Sequence, residues 1–408
     1  MSVNRRNFIK GTAAGAAGTA IAGGVVIGGA EADNNKSSND SGASDRYPFD
    51  GTHQSGILTP GEKQSALTMA AFTVTASSKG ELGNLLQTIT ERARFLTAGG
   101  TPPNLGVNRP PSDSDVLGPD IPSDGLTITV GFGASLFDKR FGLASKKPIH
   151  LTQMRVFPDD AIEEAWRDGD LSLQICANHQ DTAHHALRDI MKHTRGNMQL
   201  LWKMEGYNSP PRPSGTGRNL LGFKDGTANP SGQTAESLIW VDDSKEPAWT
   251  QGGTYQVVRL IRMFVEFWDR VSIAEQENMF GRRRDSGAPL DGNQEFDTPD
   301  FTADPKGDVI PMDSHIRLAN PRTKATANQR LLRRSYNYDL GVDMNGNMQS
   351  GHVFICYQQD VKRQFETVQE RLVGEPLIDY VQPFGGGYFF VPPAPMNASD
   401  WFGKALFA

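Results

Sequence analysis

Two hydrophobic periods alternate along the chain, and together they lay out its elements. Thr68 to Ala76, TMAAFTVTA, is apolar and β-branched with no helical stripe, which predicts a strand. From Lys79 to Leu96, Leu82, Leu85, Leu86, Ile89 and Ala93 recur at helical steps, the pattern of an amphipathic helix. Leu126 to Phe137 begins as a second strand, and Leu171 to Ala177 is a third. His184 to His193 follows as a helix with Ala186, Leu187, Ile190 and Met191 as its apolar members. Between the first helix and the second strand, Gly99 to Asp124 is too rich in Pro and Gly for regular structure and predicts a surface loop.

The second half runs in the same order, without a residue-level repeat. Thr254 to Trp268, TYQVVRLIRMFVEFW, is apolar at both parities and predicts a strand covered on both faces, so that Arg259 or Arg262 needs an acidic partner or a ligand. Ser272 to Phe280 predicts a short helix with Ser272 as cap and Glu275 at capping-box spacing. Gly281 to Asp304 reads as a loop, His352 to Gln359 as a strand, Phe365 to Leu372 as a helix and Tyr388 to Pro393 as a closing strand. The expected architecture is α+β: two ferredoxin-like halves, residues 51–215 and 216–408, with antiparallel sheets packed together.

Ahead of the halves, NRRNFIKG places Arg5 beside Arg6 and continues into Phe8, Ile9 and Lys10, a twin-arginine export signal. Gly11 to Ala30 carries no charge, but Gly and Ala dominate it, so it is long enough to span a bilayer and poorly apolar for doing so. Ala30-Glu31-Ala32 offers a small-x-small cleavage pattern with Asp33 as the mature start; an uncleaved anchor is the alternative. Residues 1–32 thus read as a signal peptide and 33–50, rich in Asn, Ser, Asp and Gly, as a flexible tether. The destination is the periplasm or beyond.

A formal net charge of −6 supplies no basic field for nucleic acid. Cys176 and Cys356 are the only cysteines, which excludes a disulfide framework and any all-thiolate metal site; both lie in apolar, strand-like runs and are expected to be buried thiols. His179, His184, His185 and His193 cluster near Cys176, but no pair on the helix stands at the i, i+4 spacing of shared ligands, so no metal site is expected there.

The candidate chemistry lies elsewhere. In LLGFKDGTANP, Leu220 to Pro230, Asp225 is a carboxylate on a loop with apolar footing, a position suited to acid–base work. Gly226 lets the backbone turn tightly or approach a flat ligand. An ordinary Asp-Gly turn is the alternative. In DSHIRLANPR, Asp313 to Arg322, His315 belongs to no amphipathic face and is a candidate imidazole ligand. LLRRSY, Leu331 to Tyr336, carries Arg333 and Arg334; on a strand only one of two neighbours faces a pocket, and the residues alone do not choose.

These three motifs, in this order, resemble those of the dye-decolourising peroxidases, a haem family whose GxxDG signature GFKDGTANP matches. The resemblance runs from about Tyr47 to the C-terminus and points to the secreted deferrochelatase/peroxidase branch that serves ferrous-iron uptake. It implies heme b in the C-terminal half, with His315 as axial metal ligand and Gly226, Thr227, Ala228, Asn320, Pro321, Arg322 and Arg333 around it, Arg322 near a propionate. Asp225 would shuttle the proton of peroxide. Arg333, chosen over Arg334 by its register from His315, would be the fixed cation, leaving Arg334 at the surface or in an ion pair. The implied reaction is reduction of hydrogen peroxide with one-electron oxidation of bulky donors, together with release of iron from haem that leaves the porphyrin whole. Tyr336, Tyr338, Trp268 and Trp401 are either electron relays or core. Implied partners are peroxide, a donor or haem, membrane iron-uptake proteins and a second copy in a homodimer. The competing reading is an exported haem carrier without activity, which has no use for Asp225 and Arg333.

Overall fold

A computed structural model describes residues 46–408, so the signal and most of the tether lie outside the described residues. The first half contributes β1 (Ala66–Val74), α1 (Lys79–Ala98), β2 (Thr127–Gly133), β3 (Leu171–Ala177), α2 (Gln180–His193) and β4 (Met198–Tyr207). The second contributes α3 (Gly232–Ile239), β5 (Thr254–Met263), α4 (Val265–Trp268), α5 (Ile273–Phe280), α6 (His315–Ala319), β6 (Leu332–Arg333), β7 (Tyr336–Val342), β8 (Met348–Gln358), α7 (Thr367–Leu372) and β9 (Val381–Val391).

The strand orders β2-β3-β1-β4 and β9-β5-β8-β7 are each the antiparallel order of a ferredoxin-like unit. The two sheets also join edge to edge. β2 meets β9 at Phe132↔Phe390 and Gly133↔Phe389, and β4 meets β7 at Tyr207↔Asn337. The strands other than β6 therefore close into a ring, which removes the free edges that invite aggregation. One edge of β8 belongs to β5; the other is shared by β7 and then by the two residues of β6.

Alternation along the strands divides the core. Leu67, Met69 and Ala71 of β1 join Val258, Leu260, Val353, Ile355 and Phe389 between the sheets, whereas Ala70, Phe72 and Val74 face the helical layer. Leu82, Leu85, Leu86 and Ile89 of α1 are fully buried against that outer face, each worth roughly 1.5–3 kcal/mol relative to exposure. β5 is covered on both faces as its sequence predicts, and Arg259 finds its acidic partner in buried Asp160.

The strand expected from Thr254 to Trp268 ends early, at Met263. Phe264 leaves the ladder, its N–H bonding Tyr380 O, and the chain turns into α4 so that the Trp268 indole can donate to Leu221 O at 2.9 Å. Phe365 to Leu372 is helical, but its start is a π turn over Lys362–Glu366. Ser272 caps α5 by accepting from Glu275 N at 3.3 Å, and Gly281 ends it at φ 80°. The Gly99–Asp124 stretch holds no helix or strand beyond an isolated Gly100↔Ile121 bridge. α2 ties it down: His185 Nε2 lies 2.7 Å from Asp113 Oδ2, and Lys192 donates to Ser112 O at 2.9 Å. Both cysteines are buried and free.

Candidate functional site

The site gathers on the β6–β8 side of the second half. The Leu220–Pro230 loop is anchored first by its apolar residues. Phe223 is buried and stacks on Phe280 with ring centroids 3.9 Å apart, and Asn219 Oδ1 accepts from the N–H groups of Leu221 and Phe223, both at 3.1 Å. Asp225 N donates to Gly217 O at 3.0 Å, and Gly226 then turns at φ 95°, a conformation that suits glycine because it lacks a Cβ. The exit is fixed by Asn229, whose Nδ2 donates to Arg333 O at 2.8 Å while its Oδ1 accepts from Arg333 N at 3.0 Å. One amide thus clamps the loop to β6.

That clamp brings Asp225 to Arg333. Arg333 Nη1 lies 3.4 Å from Asp225 Oδ1, and His352 Nε2 lies 3.2 Å from Oδ2. Burial alone would raise the Asp225 pKa, but the His352 hydrogen bond and the positive charges of Arg333 and Lys63 outweigh it and hold the carboxyl well below the usual range. Register explains the company: Arg333 stands opposite Cys356 on β8 and Asn337 opposite His352, and residues 352, 354 and 356 share one face of that strand.

Arg334 is buried, and among the described residues it forms no ion pair. Alternation turns it to the other face of the strand, where it is buried and donates to Pro60 O at 2.8 Å and towards Gln64 Oε1 at 3.5 Å. Tyr336, Tyr338 and Trp268 are buried in apolar clusters, and Trp401 packs against Phe407.

His315 opens α6, and its Nδ1 lies 2.8 Å from Glu375 Oε2. The buried carboxylate fixes the tautomer with Nδ1–H as donor and leaves Nε2 as the lone-pair nitrogen, without a hydrogen-bond partner among the described residues. Burial would lower the His315 pKa; Glu375 reverses this and raises it. Sequence reasoning missed Glu375 and His352, which lie far along the chain from the residues they touch.

Asp225 and His315 are surrounded by protein and feel each other's charge, yet their side chains retain 18% and 30% accessibility, and Arg333 retains 27%. Deep as they are, these three side chains stay within reach of solvent. Arginines gather nearby, Arg282, Arg322, Arg330 and Arg333 feeling one another's charge. Arg322 sits in the left-handed region at φ 58°, a strained choice for a non-glycine residue, with Asn320 Oδ1 accepting its N–H at 3.3 Å just past Pro321. Burial and the neighbouring Arg330 lower the Arg322 pKa, while burial, Arg333 and Arg322 push that of Arg282 down to about 10. Arg330 donates to Ala228 O at 3.3 Å, but its buried Nε has no partner among the described residues. Thr227 faces Glu295, with its Oγ1 3.2 Å from the carboxylate.

This donor set suits haem. A single imidazole with a free Nε2 fits an iron whose other equatorial ligands come from a macrocycle, and unbalanced guanidinium charge with an orphaned Nε fits a pair of propionates.

Comparison with known proteins agrees with that chemistry. Residues 54–208 match the model for the N-terminal part of the Dyp-type peroxidases and residues 216–396 that for the C-terminal part. Residues 2–22 match the twin-arginine translocation pathway signal sequence. A deferrochelatase of Escherichia coli (strain K12) is 51% identical over 371 residues, covering 89% of this chain and 87% of the relative. A deferrochelatase of Yersinia pestis bv. Antiqua (strain Nepal516) is 46% identical over 421 residues, covering 100% of this chain and 95% of the relative. Among solved structures, a DyP-type peroxidase from Cellulomonas bogoriensis superposes with TM-score 0.79 at 35% identity, covering 88% of this chain and 98% of that one. Ferric DtpA from Streptomyces lividans gives 0.80 at 33% identity, covering 90% and 99%.

Proposed function

The chain belongs to the Dyp-type peroxidase family and is exported by the twin-arginine route, and we propose that Asp225, Arg333 and His315 carry its haem-dependent chemistry. It is a haem peroxidase with heme b as cofactor. The observation that carries the residue assignment is Asp225: a carboxylate kept ionised inside the protein by Arg333 and His352, yet still accessible.

Haem, when bound, supplies the iron at which peroxide is held and reduced. Asp225 accepts a proton from one peroxide oxygen and returns it to the other, so that water departs instead of hydroxide. Arg333 offsets the negative charge that develops on the oxygens. His315 presents Nε2 to the metal, and Glu375, by accepting the Nδ1–H, holds the ring in that tautomer. Arg322, with Arg330 and Arg282 beside it, would hold the propionates, and Gly226, Thr227, Ala228, Asn320 and Pro321 would border the ring.

The deferrochelatase relatives bring a second reaction to this pocket: iron leaves the haem and the porphyrin stays whole, haem then being the substrate. Membrane iron-uptake proteins as partners and a homodimer complete the proposal; light scattering of the purified protein would refute the dimer by giving a monomer mass.

The experiment is an absorption spectrum of protein folded in haem-replete cells, followed by peroxide titration with a dye as reductant. A Soret band and rapid peroxide-dependent bleaching are expected, with free protoporphyrin appearing as iron is released. A protein that takes up no haem even on reconstitution overturns the assignment.

A further inference from the structure

We propose that His352 is a positioning residue of the peroxide step: as an imidazolium it holds Asp225 in its ionised, proton-accepting form. The inference rests on the assignment of Asp225 as the base and adds a residue that no motif in the chain announces.

The argument follows hydrogen atoms through three side chains. Asn337 Nδ2 donates to Arg218 O at 2.9 Å and to Ser209 Oγ at 3.0 Å. A backbone carbonyl only accepts, so the amide can be oriented one way, and its Oδ1 is left 3.3 Å from His352 Nδ1. An amide oxygen also only accepts, and Nδ1 therefore carries a hydrogen. The other ring nitrogen, Nε2, lies 3.2 Å from Asp225 Oδ2. In neutral imidazole with Nδ1–H, Nε2 holds a lone pair, which would meet a lone pair of the carboxylate. Both contacts are attractive together only when one further proton sits between His352 and Asp225.

Surrounding charge decides where that proton rests. Asp225 Oδ1 faces Arg333 from β6 at 3.4 Å, and Lys63, from the segment before β1, adds positive charge to the carboxylate. β7 presents neutral Asn337 to His352 and β5 presents Ile261, and Asp225 is the only described acid in ion-pair contact with the ring. Two cations on the carboxylate favour carboxylate with imidazolium over carboxylic acid with imidazole. His352 is only 8% exposed, so bulk water does not take over the role.

The test uses the haem-loaded protein and the variants His352→Gln and His352→Ala. Glutamine keeps a neutral N–H donor for Asp225 and loses the charge; if alanine fails to fold, glutamine alone suffices. Infrared difference titration, with Asp225→Asn to identify the band, reports the pH at which Asp225 takes up its proton independently of turnover. Loss of the cation should raise that pH by about one unit or more, tenfold or more in proton affinity, and the acid limb of kcat/KM for peroxide should move with it. A merely structural role for His352 lowers activity at every pH and leaves the Asp225 titration where it was; that result overturns the proposal. A shifted Asp225 titration with an unmoved acid limb upholds the His352–Asp225 coupling and overturns Asp225 as the base.

Discussion

Asp225→Asn isolates the charge from the shape. Asparagine occupies the same volume, and the site already has partners for its two ends: Oδ1 can keep facing Arg333 Nη1, and Nδ2 can donate to His352 Nε2, which is free to be the lone-pair nitrogen because Nδ1–H is committed to Asn337. The variant is therefore expected to fold, load haem and show a full Soret band. What it loses is the only carboxylate paired with Arg333 among the described residues. General acid–base catalysis is worth about 100- to 10,000-fold, or about 3–5 kcal/mol of barrier at about 1.4 kcal/mol per factor of ten. The assay is kcat/KM for hydrogen peroxide under saturating dye, normalised to haem content. A value within about threefold of wild type would refute the proton-shuttle role, since that is far below the least general acid–base catalysis contributes. Stability supplies an independent check with a definite sign. The folded-state pKa of Asp225 is depressed, so its contribution is present above the usual carboxyl value of 3.8 and is lost as pH falls through the folded value. The acid-side fall of Tm should be shallower in Asp225→Asn than in wild type.

His315→Ala should empty or weaken the haem site while far-UV circular dichroism stays native, and an unchanged Soret band would rule His315 out as the ligand. Glu375→Gln removes the anion that fixes the His315 tautomer at 2.8 Å; haem affinity should fall roughly 10- to 100-fold, the usual cost of losing such a partner, and an unchanged haem titration would count against it. Asn229→Ala deletes both hydrogen bonds to the Arg333 backbone, at 2.8 and 3.0 Å, and should cost about 2 kcal/mol at about 1 kcal/mol each, measured by denaturant midpoint. Its kcat/KM for peroxide should fall further than its haem content does; equal falls would mean that Asn229 holds the fold and not Arg333.

The sequence discloses what local pattern controls. The helical stripe of α1, the cap of α5 and the two-sided burial of β5 all follow from residues within a few positions of each other. β4 has no counterpart in the sequence reading: Gln199, Lys203 and Glu205 break up its apolar residues. The early end of β5 was hidden for the opposite reason, since Phe264 to Trp268 is as apolar as the strand before it and only the cluster around Phe223 and Phe280 draws it away. At the site, the three motifs are contiguous strings and therefore visible. Glu375 and His352 meet their partners through pairing of distant elements, and a lone Glu before Pro376 or a lone His within a strand carries no local mark of its role. Arg334 shows the limit of composition: a buried arginine whose Nη atoms donate to carbonyl and amide oxygens looks, as a letter, like a surface one.

The placement of the site also explains why its variants can report chemistry. Leu67, Met69, Val258, Leu260, Val353 and Ile355 pack between the sheets from the strands, whereas Asp225, His315 and Glu375 all come from outside the strands. Asp225 comes from the connection that leads out of the first half, and His315 from the long crossover between β5 and β7, where a minimal ferredoxin-like unit needs only one helix. The ring of strands supplies the register that lines up Arg333, His352 and Asn337, and the crossover supplies the imidazole. Holding an ionised aspartate beside an arginine in the interior costs several kcal/mol of desolvation per ion before any attraction repays it. A protein that only carried haem would gain nothing from that arrangement. The cost is borne at a carboxylate outside the strands that still reaches solvent, where a group ready to take and return a proton has its use.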